Sequence, residues 1–569
     1  MRRRGIAILG VALLAPACAR ADTPTGRVLV SLTARAGAHV RAGKLHTLLA
    51  HTGARRSGPE VPEIGLVTVS PLAGRTLAPL LRALRAQPAV RSAEPEQRMA
   101  LRFVPNDPAL SARDPVAASV AVEWQLEREG LYGAWDVTRG EGARVGVVDT
   151  GADGAHPDLA GKLDAAVQQD SSNGAGPANS DQNGHGTHVA GLACANTNNG
   201  IGLAGAGYDC HLVIERTDLT DASVAASIVD ATNRGVESIN MSFGSTPGRA
   251  PVQAIVDALD YAYSHGVVLV AAAANNPDEQ QGQPADLLQP TGSGPDIAAG
   301  KGLTVTAADF SDQRASFAGF GSQISLAAYG SFAAQGGPRG IFSTFPGNST
   351  ELETGGRGIL PLLPGQAPCA CRTTFAGDSR YAYLEGTSMA APQVAAIAAL
   401  VRRLNPDIGV AEVVRLLKQT ARRPPGGGWA PDLGWGIVDA NAAVQVARAI
   451  DHRPPSSSVS APAQVRGRTI PLALSGSDPV ANPALIASGI DHFDVYASRD
   501  GGPYNKVAST QASSLEFAAR PGSRYAFYSV ATDRAGNREA NHAQPDATTA
   551  VVAPRRRHPR GQRRAQRRR

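Results

Sequence analysis

Arg144-Val145-Gly146-Val147-Val148-Asp149-Thr150-Gly151 decides how this chain is read. Four apolar or small residues run unbroken and end on an acid, a threonine and a glycine. A strand covered on both faces shows such a continuous apolar run, as strands of parallel sheets do. Open sheets of that kind build their sites beyond the carboxyl ends of the strands, and Asp149 stands at that end. A second run, Val267 to Ala274, has the same character and ends on Asn275. The fold class expected is therefore α/β with a mainly parallel sheet.

Two more segments carry chemistry in small-residue frames. Asn183-Gly184-His185-Gly186-Thr187-His188-Val189-Ala190-Gly191 opens a helix-like stretch, and so does Gly386-Thr387-Ser388-Met389-Ala390-Ala391-Pro392. A serine hydroxyl is a poor nucleophile at neutral pH. It needs a base within hydrogen-bond reach, and the base needs a group that fixes its tautomer and stabilises its charged form. Ser388, His185 and Asp149 supply those three types. Taken singly, each has a plainer reading as a turn cap, a loop histidine or a helix cap.

In the order Asp, His, Ser, these motifs resemble those of the subtilisin-like serine proteases (subtilases), over about Pro105 to Ala447. The resemblance implies a three-layer α/β/α domain and an Asp149–His185–Ser388 triad. It implies a serine endopeptidase that works through an acyl-enzyme and needs no cofactor for its chemistry. Asn275 matches the side-chain donor of the oxyanion hole, with Ala274 where the family usually has glycine. Ser242, Phe243 and Gly244 match the strand that pairs with extended substrate, Phe243 reading equally well as core. His188 is expected to be structural. Asp158, with Asn199 and the carbonyls of Thr197, Ile201 and Leu203, matches a structural calcium site, an Asn/Gly turn being the plain alternative. The alternative function is a catalytically silent surface-binding protein on the same fold.

The rest of the chain follows from composition. Residues 1–21 begin Met1-Arg2-Arg3-Arg4, continue apolar from Gly5 to Leu14, and end in Ala19-Arg20-Ala21, the pattern of a cleaved secretory leader. Secretion permits disulfides. Beyond Cys18 the cysteines are Cys194, Cys210, Cys369 and Cys371, and Cys194–Cys210 is the favoured pair, bracketing the calcium loop. Residues 22–104 read as a small α+β unit that resembles a subtilase propeptide, and the resemblance makes 105–449 the catalytic domain, with an irregular stretch between Ile341 and Tyr383. Residues 450–460 read as a linker, and 461–552 as an all-β sandwich resembling fibronectin type III modules. Residues 553–569 form an arginine-rich tail.

Formal charge is +6, but nine arginines lie between Arg555 and Arg569, so the body stands at −3 (+6 less nine). The tail is expected to be a solvated, disordered end, with adhesion to anionic cell-surface polymer as the alternative. Expected partners are protein or peptide substrates and the chain's own propeptide. No nucleic acid is expected, and a monomer is.

Overall fold

The computed structural model describes residues 23–33, 47–72, 76–98, 103–163, 169–170, 177–332, 338, 340–355, 368–423 and 427–553. The expected leader and the arginines from Arg555 onward lie outside the described residues. The chain divides into two units, Met1–Arg102 and Phe103–Arg569.

The first unit holds a four-stranded sheet in the order Ala54–Val61, Leu66–Pro71, Thr23–Leu32, Val90–Arg98. All its pairings are antiparallel. Helix Leu77–Arg85 turns Leu80 and Leu84 onto the sheet, where they meet Val28, Val30, Val67 and Val69. The strand Ala54–Val61 departs from the sequence reading. Its Gly58 and Pro59, and its mostly exposed side chains, hide it from any periodicity rule.

The second unit is built on a seven-stranded sheet. Its order is Leu326–Tyr329, Gly302–Ala308, Val268–Ala272, Ser238–Met241, Arg144–Asp149, His211–Arg216, Gln169–Asp170. Every pairing in it is parallel. Val145, Val147 and Val148 are fully buried, as their unbroken run requires. Removing such a side chain from water contributes about 1.5–3 kcal/mol each.

Helix Thr387–Leu404 packs on strands Val268–Ala272, Gly302–Ala308 and Ser238–Met241. Its alanines let it approach closely, and it is buried nearly throughout. Helices Asp221–Asn233 and Gln253–Ser264 cover the opposite face around Val148, Ile239 and Leu259. This is the expected three-layer α/β/α arrangement.

Between Ile341 and Tyr383 the chain is more regular than expected. Ile341–Thr344, Asp378–Leu384 and Arg372–Phe375 form an antiparallel sheet, and helix Glu351–Thr354 carries a Thr350/Glu353 capping box. The turn Ala376-Gly377, with φ 51° and 86°, joins the last two strands. Such paired positive φ values suit a tight hairpin. The first strand lies too far along the chain from its partner to be paired by sequence pattern.

Two sheets close the chain. One runs Ser456–Ser460, Thr469–Ser477, Ser514–Ala518; the other runs Gln464–Arg466, Ala547–Val552, Arg524–Asp533, Ile490–Arg499, Asn505–Thr510. Val459, Ile470, Leu472, Val495, Phe527 and Val551 share the core between them, making the expected all-β sandwich. Its first strand, Ser456–Ser460, falls where a linker was expected. Serine composition concealed a strand that needs only Val459 turned inward. Ser488 N–H donates to Asp451, and Asn537 Nδ2 donates to the Asp451 carbonyl, so the sandwich is fastened to the end of the α/β domain.

Both cysteine pairs are bridged. Cys194–Cys210, the expected pair, ties the end of helix His185–Cys194 to strand His211–Arg216, with Cα atoms 5.6 Å apart. Cys369 is bonded to Cys371. Among the described residues no helix is long and apolar enough to cross a membrane.

Candidate active site

Asp149 ends strand Arg144–Asp149 and is 2% exposed. His185 is the first residue of helix His185–Cys194, and its Nδ1 lies 2.8 Å from Asp149 Oδ1. Thr150 N–H also donates to that oxygen at 2.8 Å. The bend before the helix requires glycine at position 184. Its φ is 100°, and a Cβ there would stand 2.7 Å from the Phe345 ring.

Two charge effects compete at His185. Burial disfavours the imidazolium, but the fields of Asp149 and Asp181 and the hydrogen bond to Asp149 prevail, and its pKa lies above the ordinary histidine value. His188 follows the opposite course. Its Nε2 meets the Ile341 and Ala382 carbonyls, and burial, with His185 nearby, pushes it down to about 3. A neutral, enclosed imidazole is a structural one.

Ser388 stands in the first turn of helix Thr387–Leu404 and is 7% exposed. Pro392 lies four residues on and has no N–H, so the Ser388 carbonyl lacks its helical donor. Ser242 Oγ fills the vacancy at 3.0 Å, and Ser388 Oγ returns a 3.0 Å bond to the Ser242 carbonyl. The helices headed by His185 and Ser388 pack against each other. The hydroxyl of Ser388 thus points to Ser242 here, and of the three expected residues the hydrogen bond present joins His185 to Asp149.

Asn275 Oδ1 accepts from Thr387 N–H at 2.9 Å, and the Thr387 hydroxyl lies 2.6 Å from the Ala273 carbonyl and 2.9 Å from Asn275 Oδ1. That engages the oxygen and leaves the amide N–H₂ on an exposed residue beyond the strand Val268–Ala272. Ala274 causes no distortion: it is absent from the positive-φ positions, and its N–H donates to Gln281. Phe243 packs partly buried against the Val148–Leu259 core, while Gly244 is exposed.

At the other candidate site Asp158 is fully buried. Its oxygens accept from Asn199 Nδ2, Leu203 N–H and Tyr381 OH at 3.0–3.1 Å. A second carboxylate, missed in the sequence, bears on the same loop: Asp107 accepts from the N–H groups of Asn198 and Asn199. Burial, with the fields of Asp107 and Asp158 behind it, holds nearby Glu123 well above the usual carboxylate range, and burial raises Asp158 to about 6. Apart from hydrogen-bond donors, the groups acting on both are carboxylates. Carboxylates are the ligands a hard cation prefers, but both Asp158 oxygens here face hydrogen-bond donors. Ligation through Asn199 requires its amide turned over, because its Oδ1 now accepts from Ile201 N–H.

Comparison with known proteins bears on the whole arrangement. The Peptidase S8, Subtilase family, profile matches residues 140–436. The chain belongs to the subtilase family. Thermitase of Thermoactinomyces vulgaris is 31% identical over 353 residues, which span 60% of this chain and all (100%) of thermitase. Fervidolysin of Fervidobacterium pennivorans is 30% identical over 68% of this chain, and the match spans 54% of fervidolysin. An extracellular protease of Xanthomonas campestris pv. campestris is 32% identical over 65% of this chain and 61% of its own length. Among solved structures, a protease of Pseudoalteromonas arctica is 27% identical, covering 60% of this chain and 99% of its own, with a TM-score of 0.46. The fervidolysin crystal structure, 24% identical, covers 94% of this chain and 78% of its own, with a TM-score of 0.45. This subtilase is a serine-type endopeptidase, a hydrolase.

Proposed function

We propose that this subtilase cleaves peptide bonds through Asp149, His185 and Ser388, and that it is secreted and made as a zymogen. The observation that carries the reading is the 2.8 Å hydrogen bond between His185 and Asp149, at the head of a helix packed on the one that presents Ser388. Ser388 Oγ leaves the Ser242 carbonyl and attacks the scissile carbonyl as His185 takes its proton. His185 then returns that proton to the leaving amine, and water hydrolyses the acyl-enzyme by the same exchange. Asp149 stays ionised, fixing the imidazole and stabilising its charged form. Substrate backbone lies along Ser242 to Gly244 as an added strand, with Phe243 at its side.

The oxyanion is held by Asn275 Nδ2 and by the Ser388 N–H, which has no intrahelical acceptor in the first turn. Asn275→Ala will lower kcat on a peptide anilide by about 10²–10³-fold with little change in KM. A kcat within threefold of the parent would place the donor elsewhere.

The leader directs export, residues 22–104 act as an inhibitory propeptide, and the sandwich is a fibronectin type III-like module. Anionic surface polymer is the candidate partner of the arginine-rich residues from Arg555 onward. Terminal sequencing of the secreted product tests the processing directly. A product that begins at Met1 and is fully active contradicts both leader removal and zymogen.

A structural calcium is proposed at Asp158, Asn199 and the carbonyls of Thr197, Ile201 and Leu203, with Asp107 adding a second carboxylate. A bound cation would offset the repulsion of these buried acids and stiffen the loop; it takes no part in the proton transfers. At a hundredfold excess over Kd a single ion adds about 2.7 kcal/mol to stability. Chelation will lower Tm by several degrees, restored by added calcium. An unchanged melting curve removes the ion from this account.

A further inference from the structure

We infer that Asp181 is a positioning residue that holds the base and its acid partner in register. The inference rests on the triad reading above. Asp181 is 4% exposed and has no ion pair among the described residues. Its two oxygens accept five hydrogen bonds. Oδ1 takes Thr150 Oγ–H at 3.0 Å, Asn183 N–H at 3.0 Å and Gly184 N–H at 2.9 Å. Oδ2 takes Thr187 N–H at 2.8 Å and Thr187 Oγ–H at 2.7 Å.

These donors fall on both sides of His185 in sequence, and one belongs to the residue after Asp149. Thr150 Oγ in turn accepts Gly186 N–H at 2.9 Å. One carboxylate therefore spans the end of the acid's strand and the start of the base's helix. The helix needs such a partner. Its N-cap is Gly184, which has no side chain to satisfy the free N–H groups of the first turn. Asp181 does so from three residues upstream.

The same placement has an electrostatic consequence. A helix N-terminus disfavours a cation, yet His185 must become an imidazolium during turnover. Asp181 puts a second negative charge beside it, after that of Asp149. The other titratable groups around this region have partners of their own, and His188, on which His185 acts, is kept neutral. His188 points to carbonyls, Arg216 donates to the Pro177 carbonyl, Ser180 and Gln182, and Glu351 accepts from Asn183.

The test compares Asp181→Asn with Thr150→Val, kcat being counted per site labelled by a fluorophosphonate. Asp181→Asn removes the charge and an acceptor while keeping the shape. It should lower kcat on the order of tenfold or more, with KM within about twofold, because small misplacements of reacting groups are expensive. It should also move the acid limb of kcat/KM to lower pH. Thr150→Val keeps the charge and removes both bonds of the Thr150 hydroxyl, to Asp181 and from Gly186, so it should lower kcat and leave the acid limb in place. An Asp181→Asn enzyme with the parent's kcat and acid limb overturns the inference. If that variant does not fold, an unchanged kcat in Thr150→Val overturns it. Persisting hydrolysis in Ser388→Ala would instead defeat the triad reading beneath it, so the two failures are distinguishable.

Discussion

Ser388→Ala will give a folded protein whose kcat on a peptide substrate is lower by on the order of a millionfold. The effect is large because no other group replaces the nucleophile: without it, acyl transfer reverts to unassisted attack by water. Folding should be little disturbed. The hydroxyl makes one hydrogen bond, to the Ser242 carbonyl, and a bond of that kind contributes about 1 kcal/mol net. The bond from Ser242 to the Ser388 carbonyl involves the backbone and survives the change. Some rate above that in water will remain, because Asn275 and the substrate strand still bind the reacting group. A variant with activity within tenfold of the parent, and equally stable, would show that the chemistry belongs to another residue.

The second large effect is at Asp149. Asp149→Asn will lower kcat by about 10⁴-fold at neutral pH. Asp149 Oδ1 lies 2.8 Å from His185 Nδ1, and in the proposed mechanism it holds the proton on Nδ1 so that Nε2 accepts from Ser388. An asparagine that turns its N–H₂ toward the ring reverses this, and Nε2 then carries the proton. The charge is lost as well. In the parent, the fields of Asp149 and Asp181 keep the pKa of His185 above its ordinary value despite burial. Activity therefore falls as pH drops through that raised pKa, since a protonated imidazole cannot take the serine proton. In the variant the acid limb must move to lower pH. An unmoved limb with a small loss of rate would mean that Asp149 does not face the base during turnover.

The sheet was legible because its physics is local. A parallel strand buried on both faces has to be a continuous apolar run, and Val145 to Val148 is one. The helices at His185 and Ser388 were legible in the small-residue stretches that follow each. Asp181 was not legible. Its five donors come from residues 150, 183, 184 and 187, and nothing in the sequence ties Thr150 to that loop. The sheet containing Ile341–Thr344 was missed for a related reason. Its partner strand comes more than thirty residues later, and its purpose is seen only in space, where Ser343 and Thr344 donate to the carbonyls of His188 and Thr187. Ala274 runs the other way. It departs from the family pattern, yet its ordinary backbone angles show that glycine was not needed here.

The central claim is that Ser388 is the one hydroxyl made nucleophilic by His185 and Asp149. Labelling the purified, mature enzyme with a fluorophosphonate and mapping the adduct by peptide mass tests it most directly. The account predicts a single adduct on Ser388, complete loss of hydrolysis in step with labelling, and slow labelling in Asp149→Asn. An adduct on another residue, or full labelling with hydrolysis intact, would contradict it.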